Sequence, residues 1–410
     1  MKKKILFLSS VYPNFNHYTA SSTVLANLLK ESYLKKYNTD LYILNDHTVK
    51  KNLKFNLKNK ISIKKYNLKK SNFFSYLRKV FLLIFKFDLN IIYFNGEYKS
   101  LSKKIINNNY YLIILFWDTE FEYLLPYLKN QKIITYAALP KFYSSIKRNE
   151  NFYGLNLKRN YFYFLKIKYY KIELKKHFNR LKNIKIHTNI CNQTKKIYNK
   201  ISKKSFYVQN CWPDFYLNLK KKKISNKKTN ILANIGGLNS TGNYFGIKYL
   251  IKVLFPLINR DKKQNYLFNI YGRYKLPKSF EIINNELYFK NHGFVKNIDN
   301  EIMKNDLCLV LNNAYKKSLV AGYTRIIYFF SFKKCVIAHK RLKKSMPELK
   351  HNYNCLLGKN AKEIKNLIKK ASNSESLRNR IGKNARLTYL SKYTPEKVFL
   401  RILRIRRKYL

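Results

Sequence analysis

Short, almost uninterrupted apolar runs recur along the chain, each followed by a stretch long enough for a helix, and this spacing constrains the fold more than any other feature. A strand buried on both faces needs such a run, and strands spaced this widely pair in parallel through crossover helices. In the first half the runs fall near residues 5–8, 41–44, 91–94, 111–117, 132–137, 184–187 and 205–208. A second series starts afresh near 230–235, 266–271, 307–311, 335–338 and 355–357. The stretch 216–229, with its lysine run 220–223, has no apolar period and reads as a linker. The pattern predicts an α/β protein of two doubly wound, Rossmann-like domains facing a central cleft, with a helical segment at the C-terminal end. A length of 410 residues, more than one core usually holds, agrees with two domains. Their expected bounds are 1–215 and 230–394. At 395–410 a basic amphipathic helix follows, in which Val398, Leu400, Ile402, Leu403 and Ile405 alternate with Arg401, Arg404, Arg406 and Arg407. Such a helix either docks on a domain or lies on a membrane surface.

Charge is the second constraint. Lys and Arg number 84 against 21 Asp and Glu, a formal net charge of +63. That value suggests nucleic acid or an anionic membrane as partner. Only 15 of the 84 are Arg, however, while Lys, Asn, Ile, Tyr and Phe, all with AT-rich codons, are abundant and Gly and Pro are scarce. Selection for phosphate contact favours the Arg fork, so the bias reads as compositional drift and no specific nucleic-acid partner is expected. A surface this positive is nevertheless drawn to an anionic membrane surface or to acidic glycans. With 46% hydrophobic residues, disorder is excluded. No run reaches the length of a membrane span; the best, 80–94, is broken by Lys86, Asp88 and Asn90. Lys2, Lys3 and Lys4 before a short apolar run imitate a signal peptide, but a buried first strand explains them better. The five cysteines are dispersed and make no metal or disulfide pattern, which fits a reducing, cytoplasmic compartment.

In the second half the order of segments resembles a known domain. Asn230-Ile231-Leu232-Ala233-Asn234-Ile235-Gly236-Gly237 gives a strand and glycine turn, and Gly246-Ile247-Lys248-Tyr249-Leu250-Ile251 a helix start. Phe268-Asn269-Ile270-Tyr271-Gly272 and His292-Gly293-Phe294-Val295 follow, then Gly322-Tyr323-Thr324-Arg325-Ile326-Ile327 with Cys335-Val336-Ile337-Ala338-His339, and finally Met346-Pro347-Glu348-Leu349 with Asn354-Cys355-Leu356-Leu357. Over roughly residues 229–395 this is similar to the nucleotide-binding domain of the GT-B glycosyltransferases, family 4 (group 1). In the first half only Ser9-Ser10-Val11-Tyr12-Pro13 and Val208-Gln209-Asn210 resemble that family, in outline. The resemblance implies a hexosyltransferase, retaining and metal-independent, with a nucleotide-sugar donor as co-substrate, no cofactor and no metal. It also shows departures. The segment 237–245 carries none of the family's basic residues, and the positions of its two donor-site glutamates are occupied by Val320 and Tyr328.

Glycosyl transfer puts negative charge on a departing diphosphate, so a metal-free site must aim cations or helix N-termini at it. Arg325, beside Gly322 at the start of an apolar helix, is the first candidate for catalysis and donor binding, with a structural ion pair as its alternative. Arg273, after the turn at Gly272, is the second. Gly236 and Gly237 either let backbone approach a phosphate or only make a turn. Tyr328, at the second position of a glutamate pair of which one member grips the ribose in the family, is a further donor-binding candidate. Glu348 either accepts from a donor hydroxyl or caps a helix. Asp118, just past the run 111–117, either orients or deprotonates an acceptor hydroxyl or caps the next helix. His17, His187 and His339 stand alone and are expected as core or surface residues. The sequence thus reads as a glycosyltransferase acting on a glycan or lipid-linked acceptor in cell-surface polysaccharide synthesis, cytoplasmic and peripheral to the inner membrane face. A catalytically degenerate GT-B protein that binds glycan or a partner transferase, and a charge-driven nucleic-acid binder, are the alternatives.

Overall fold

A computed structural model describes residues 2–15, 19–45, 55–57, 59–68, 72–86, 88–117, 120–138, 143, 146, 161–202, 204–216, 228–237, 240–260, 265–272, 287–315 and 324–410. The chain forms two compact units, Met1–Asn210 with Pro395–Leu410, and Cys211–Thr394. Most of the linker expected at 216–229 lies outside the described residues.

In the first unit a seven-stranded parallel sheet has the order β3-β2-β1-β4-β5-β6-β7. Its strands are β1 (Lys4–Ser9), β2 (Asn38–Leu44), β3 (Ser62–Tyr66), β4 (Leu112–Phe116), β5 (Ile133–Ala137), β6 (Ile186–Asn189) and β7 (Ser205–Tyr207). β1, β4 and β5 are buried almost end to end, the property their apolar runs demanded. The helices are α1 (Ala20–Leu34), α2 (Asn72–Ile84), α3 (Asn90–Tyr93), α4 (Asn95–Asn107), α5 (Tyr161–Leu181) and α6 (Asn192–Tyr198). The strand expected at 91–94 is instead the single-turn α3. The Asp88 carboxylate accepts the backbone N–H of Asn90 at 3.2 Å and turns the chain into it, and an apolar run of four residues cannot by itself choose between strand and helix. Pro126, which cannot donate a backbone hydrogen bond, sits in the 3-10 turns of Glu120–Tyr127, where an α-helix was expected.

The second unit carries a six-stranded parallel sheet, β10-β9-β8-β11-β12-β13. Its strands are β8 (Thr229–Asn234), β9 (Tyr266–Tyr271), β10 (Phe289–Gly293), β11 (Leu307–Val310), β12 (Cys335–His339) and β13 (Leu356–Gly358). Around it lie α7 (Thr241–Tyr249), continued through one π turn into α8 (Phe255–Asn259), then α9 (Ile298–Lys304), α10 (Thr324–Ser331), α11 (Ala361–Ser372) and α12 (Glu375–Lys392). Ile231, Phe268, Leu309 and Ile337 from four strands share a core with Leu254, Ile364 and Ile381 from the surrounding helices. α12 approaches so closely that a Cβ on Gly382 would collide with the Lys333 carbonyl.

The helix α13 (Pro395–Tyr409) belongs to the first unit and settles the choice left by its sequence in favour of docking. Val398, Phe399, Ile402, Leu403 and Ile405 are buried. Arg406 lies 3.6 Å from the centre of the Tyr111 ring, Arg401 donates to Gln209 at 2.7 Å, and Glu396 pairs with Lys35 of the loop after α1 at 2.6 Å. No helix among the described residues is long and apolar enough to cross a membrane.

Candidate functional site

In an open parallel sheet ligands gather outside the carboxyl ends of the strands where the strand order reverses. In the second unit β8 is that strand, lying between β9 and β11. Its end runs into Gly236 and Gly237, and the neighbouring β11 ends just before Asn312. Gly236 has φ of +90°, a conformation costly for any residue with a Cβ. Its carbonyl lies where a Cβ on Gly272 would stand, so the turns after β8 and β9 fit together only because both residues are glycines.

Three buried asparagines organise this edge. Asn234 donates through Nδ2 to the carbonyls of Gly236 (3.1 Å) and Tyr271 (3.3 Å). Asn243, in the first turn of α7, donates to the carbonyls of Gly237 (2.8 Å) and Ile235 (3.4 Å). Ser240 caps that helix by accepting from the Asn243 N–H. With the glycine carbonyls tied down by the amide nitrogens, the amide oxygens hold Arg325. Its Nη1 donates to Asn234 Oδ1 and Asn312 Oδ1, both at 3.2 Å, and its Nη2 to Asn243 Oδ1. Asn312 closes the set by donating to Asn243 at 3.2 Å. These acceptors are neutral amides, so the bonds fix the guanidinium in the first turn of α10 without cancelling its charge. Arg325, Gly236 and Gly237 are thus brought together.

The other expected residues stand elsewhere. Tyr328 is buried in α10, its ring packed 5.1 Å from Trp212 and 5.3 Å from Phe332, and its hydroxyl donates to Asp299 at the start of α9. Burial, reinforced by Asp299, raises its pKa well above the usual phenol value. Glu348 sits in a turn and caps no helix. Its carboxylate accepts from the Tyr393 hydroxyl, and its backbone carbonyl from Asn354 at 3.0 Å. Asp118 and Arg273 lie outside the described residues, as do His17 and Val320. His339 caps a 3-10 turn by accepting from the Arg341 N–H at 3.2 Å. His187 is buried between Thr135 and Tyr198, and burial, with His177 nearby, pushes its pKa down to about 4.

Sequence reasoning missed a buried charged network in the first unit. Arg78 of α2 grips Asp88 through Nε (2.7 Å) and Nη2 (3.1 Å) and reaches Glu173 of α5 at 2.5 Å. Arg180 binds Glu122 at 2.6 Å and lies 4.4 Å above the Tyr123 ring, and His177 Nδ1 contacts the same Glu122. Burial would raise the Asp88 pKa, but the hydrogen bond and charge of Arg78, with Tyr123 and Arg180, outweigh it and leave the pKa lowered. Glu122 and His177 line a small cavity with Trp117 and Thr135, at the carboxyl ends of β4 and β5. Trp117 takes φ of +54° there, a strained position for a bulky residue. The legible part was the spacing Glu173, His177, Arg180 along one helix face.

No protein-family model matches the chain, and no curated protein sequence is significantly similar to it. Solved structures are similar in fold. A glycosyltransferase from Rickettsia africae superposes with a TM-score of 0.63 at 14% identity, covering 100% of this chain and 99% of that one. Anabaena Alr3699/HepE, solved in complex with UDP and glucose, gives 0.58 at 13% identity with 98% of each chain covered. WaaG, a glycosyltransferase involved in lipopolysaccharide biosynthesis, gives 0.58 at 12% identity, covering 97% of this chain and 99% of that one. The fold is therefore GT-B, of the type the sequence resembles.

Proposed function

We propose that the protein is a glycosyltransferase that moves a sugar from a nucleotide-sugar donor to a glycan or lipid-linked acceptor, in the retaining, metal-independent manner the sequence resemblance implies. The observation that carries this reading is the Arg325 guanidinium, held by three buried asparagines beside the Gly236 turn at the strand-order reversal of the second sheet. As the sugar–phosphate bond breaks, charge builds on the departing diphosphate. A fixed cation stabilises that charge without reorganising at the moment of reaction. The glycine turn lets main chain approach the phosphates. The Tyr328 hydroxyl donates to Asp299, and Glu348 accepts from Tyr393 through Oε1 alone, so neither bond uses up the acceptor capacity of the side chain. The similar folds of HepE, bound to UDP and glucose, and of WaaG, involved in lipopolysaccharide biosynthesis, support a nucleotide-sugar donor and a role in cell-surface polysaccharide synthesis at the cytoplasmic membrane face.

The absence of any basic residue from 237–245 favours a second reading, a GT-B protein that binds glycan or a partner transferase without catalysis. One experiment separates the two. Thermal shifts are recorded with a panel of nucleoside diphosphates and nucleotide sugars, at salt high enough to suppress nonspecific phosphate binding. A ligand at about 100 times its Kd adds roughly 2.7 kcal/mol of stability. The expected result is a shift confined to one base, abolished by Arg325→Ala without loss of the cooperative melt. No shift with any member of the panel supports the non-catalytic reading, and a shift retained in Arg325→Ala removes Arg325 from the donor site.

A further inference from the structure

The ionic network of the first unit leaves two polar atoms over, and both belong to side chains that border one cavity. The cavity lies where the carboxyl ends of β4 and β5 meet the 3-10 turns of Glu120–Tyr127 and the last turns of α5. Trp117, Glu122, Thr135, His177 and Tyr198 give its polar walls, and leucine and alanine side chains close the rest. His177 is 2% exposed, and its Nε2 is sealed from solvent with no hydrogen-bond partner among the described residues. Trp117 Nε1 is in the same position. The imidazole cannot turn to relieve this, because its Nδ1 is held by Glu122, whose other oxygen takes Arg180 at 2.6 Å. A buried donor or acceptor left unpaired is costly, so two on one cavity call for a shared partner.

The walls also say which partner fits. An indole nitrogen only donates. A carboxylate against Nδ1 places the proton on that nitrogen, so Nε2 carries the lone pair and accepts. The partner must therefore accept from one wall and donate to the other, as a hydroxyl-type molecule does. The Glu122 carboxylate repels an anion, and the Trp117 N–H has no lone pair to offer a metal ion. About 10 Å³ is open to the centre of a water-sized molecule, which is room for one water. We propose that the cavity is a binding site for a single water molecule that accepts from Trp117 Nε1 and donates to His177 Nε2. The bridge extends the chain Arg180, Glu122, His177 to the end of β4. There it holds the side chain of Trp117, whose backbone has φ of +54° and which immediately precedes Asp118.

The test uses the full chain without nucleotide or acceptor, so its outcome is independent of whether the protein transfers sugar. The chain has two tryptophans, Trp117 and Trp212, so the indole region of a nitrogen-15 spectrum holds two resonances, and Trp212→Phe assigns them with the cavity intact. NOESY and ROESY spectra of the wild type are then read at the water frequency. The expected result is a cross-peak from Trp117 Nε1–H to water, of opposite sign to the diagonal in the ROESY, as for water held longer than the protein takes to tumble. It persists in Thr135→Val and in Tyr198→Phe, whose hydroxyl protons also border the cavity and could relay magnetisation from solvent. At the other end of the bridge, Trp117→Phe moves the His177 Nε2 resonance, while Nδ1, held by Glu122, moves less. No water cross-peak at Trp117 overturns the proposal, as does a peak with the sign of direct exchange, which means that the indole opens to bulk solvent. Loss of the peak in a folded Thr135→Val or Tyr198→Phe variant assigns it to a hydroxyl and also overturns the proposal. An unmoved His177 Nε2 overturns the bridge.

Discussion

Asn243→Asp exchanges one amide NH2 for oxygen at the centre of the Arg325 site and is nearly isosteric. Two effects oppose each other in stability. The Gly237 and Ile235 carbonyls lose their donor and face a carboxylate instead, at about 1–3 kcal/mol for a buried acceptor left unsatisfied. Against this, the new carboxylate touches the Arg325 guanidinium, and unit charges about 4 Å apart at an effective dielectric of about 20 attract by ~4 kcal/mol before desolvation. The net change is expected within about 1 kcal/mol, or about 4 °C in Tm for a unit of this size. Binding responds differently, because the carboxylate cancels the charge that the asparagines leave intact. If about half to three-quarters of that Coulomb energy is what a diphosphate loses, affinity falls by about 2–3 kcal/mol, roughly 30- to 160-fold in Kd. Isothermal titration with the nucleoside diphosphate that shifts the wild type measures this. Asn243→Ala, which removes the tether without adding charge, is the control and is expected to lose less. An Asn243→Asp variant that folds and binds as tightly as the wild type would refute the argument that the site works through the Arg325 charge.

Gly272→Ala forces a methyl group onto the Gly236 carbonyl, so a loss of about 1–3 kcal/mol in urea unfolding is expected, and an unchanged midpoint would mean that the two turns are not packed as described. Arg78→Met removes the nearer cation from the buried carboxylates of Asp88 and Glu173, leaving them only the longer contacts of Arg180, and should destabilise the protein by about 3–5 kcal/mol; a melt indistinguishable from wild type would show the network to be dispensable. Burial holds the folded pKa of His187 down at about 4, against about 6.5 for an ordinary histidine, so the unfolded chain takes up the proton first and stability falls as pH drops from 6.5 to 4, by up to about 3 kcal/mol. His187→Gln is expected to flatten the pH dependence of stability across that window, and an unaltered slope would exclude His187 as its source.

The sequence carried the central strands clearly because burial on both faces leaves little choice of residue: Leu6, Phe7, Ile113, Ile114 and Ile337 are all fully buried. It hid β3 and β10 because both lie at sheet edges, where Lys64, Lys65, Lys290 and Asn291 face solvent and the apolar run dissolves. Arg325 was legible as an Arg beside a glycine opening an apolar helix. Its partners were not, because Asn is so common in this composition that Asn234, Asn243 and Asn312 do not stand out, and they meet only when β8, α7 and β11 are assembled. The network of Arg78, Asp88, Glu122, Glu173 and Arg180 is spread over about 100 residues of chain, and no local spacing reveals that its acids and bases meet.

The return of α13 to the first unit imposes an order on synthesis. The ribosome completes β7 and then translates all of Cys211–Thr394 before it reaches the helix that covers Tyr111 and pairs with Lys35. At roughly 5–20 residues per second that interval lasts roughly 10–40 s. Throughout it the nascent first unit has its sheet but not its last helix, and the apolar surface that later buries Phe399, Ile402 and Leu403 is open to chaperones and to neighbouring chains. The second unit, by contrast, has all of its own elements as soon as α12 emerges. The half of the protein made first is therefore finished last.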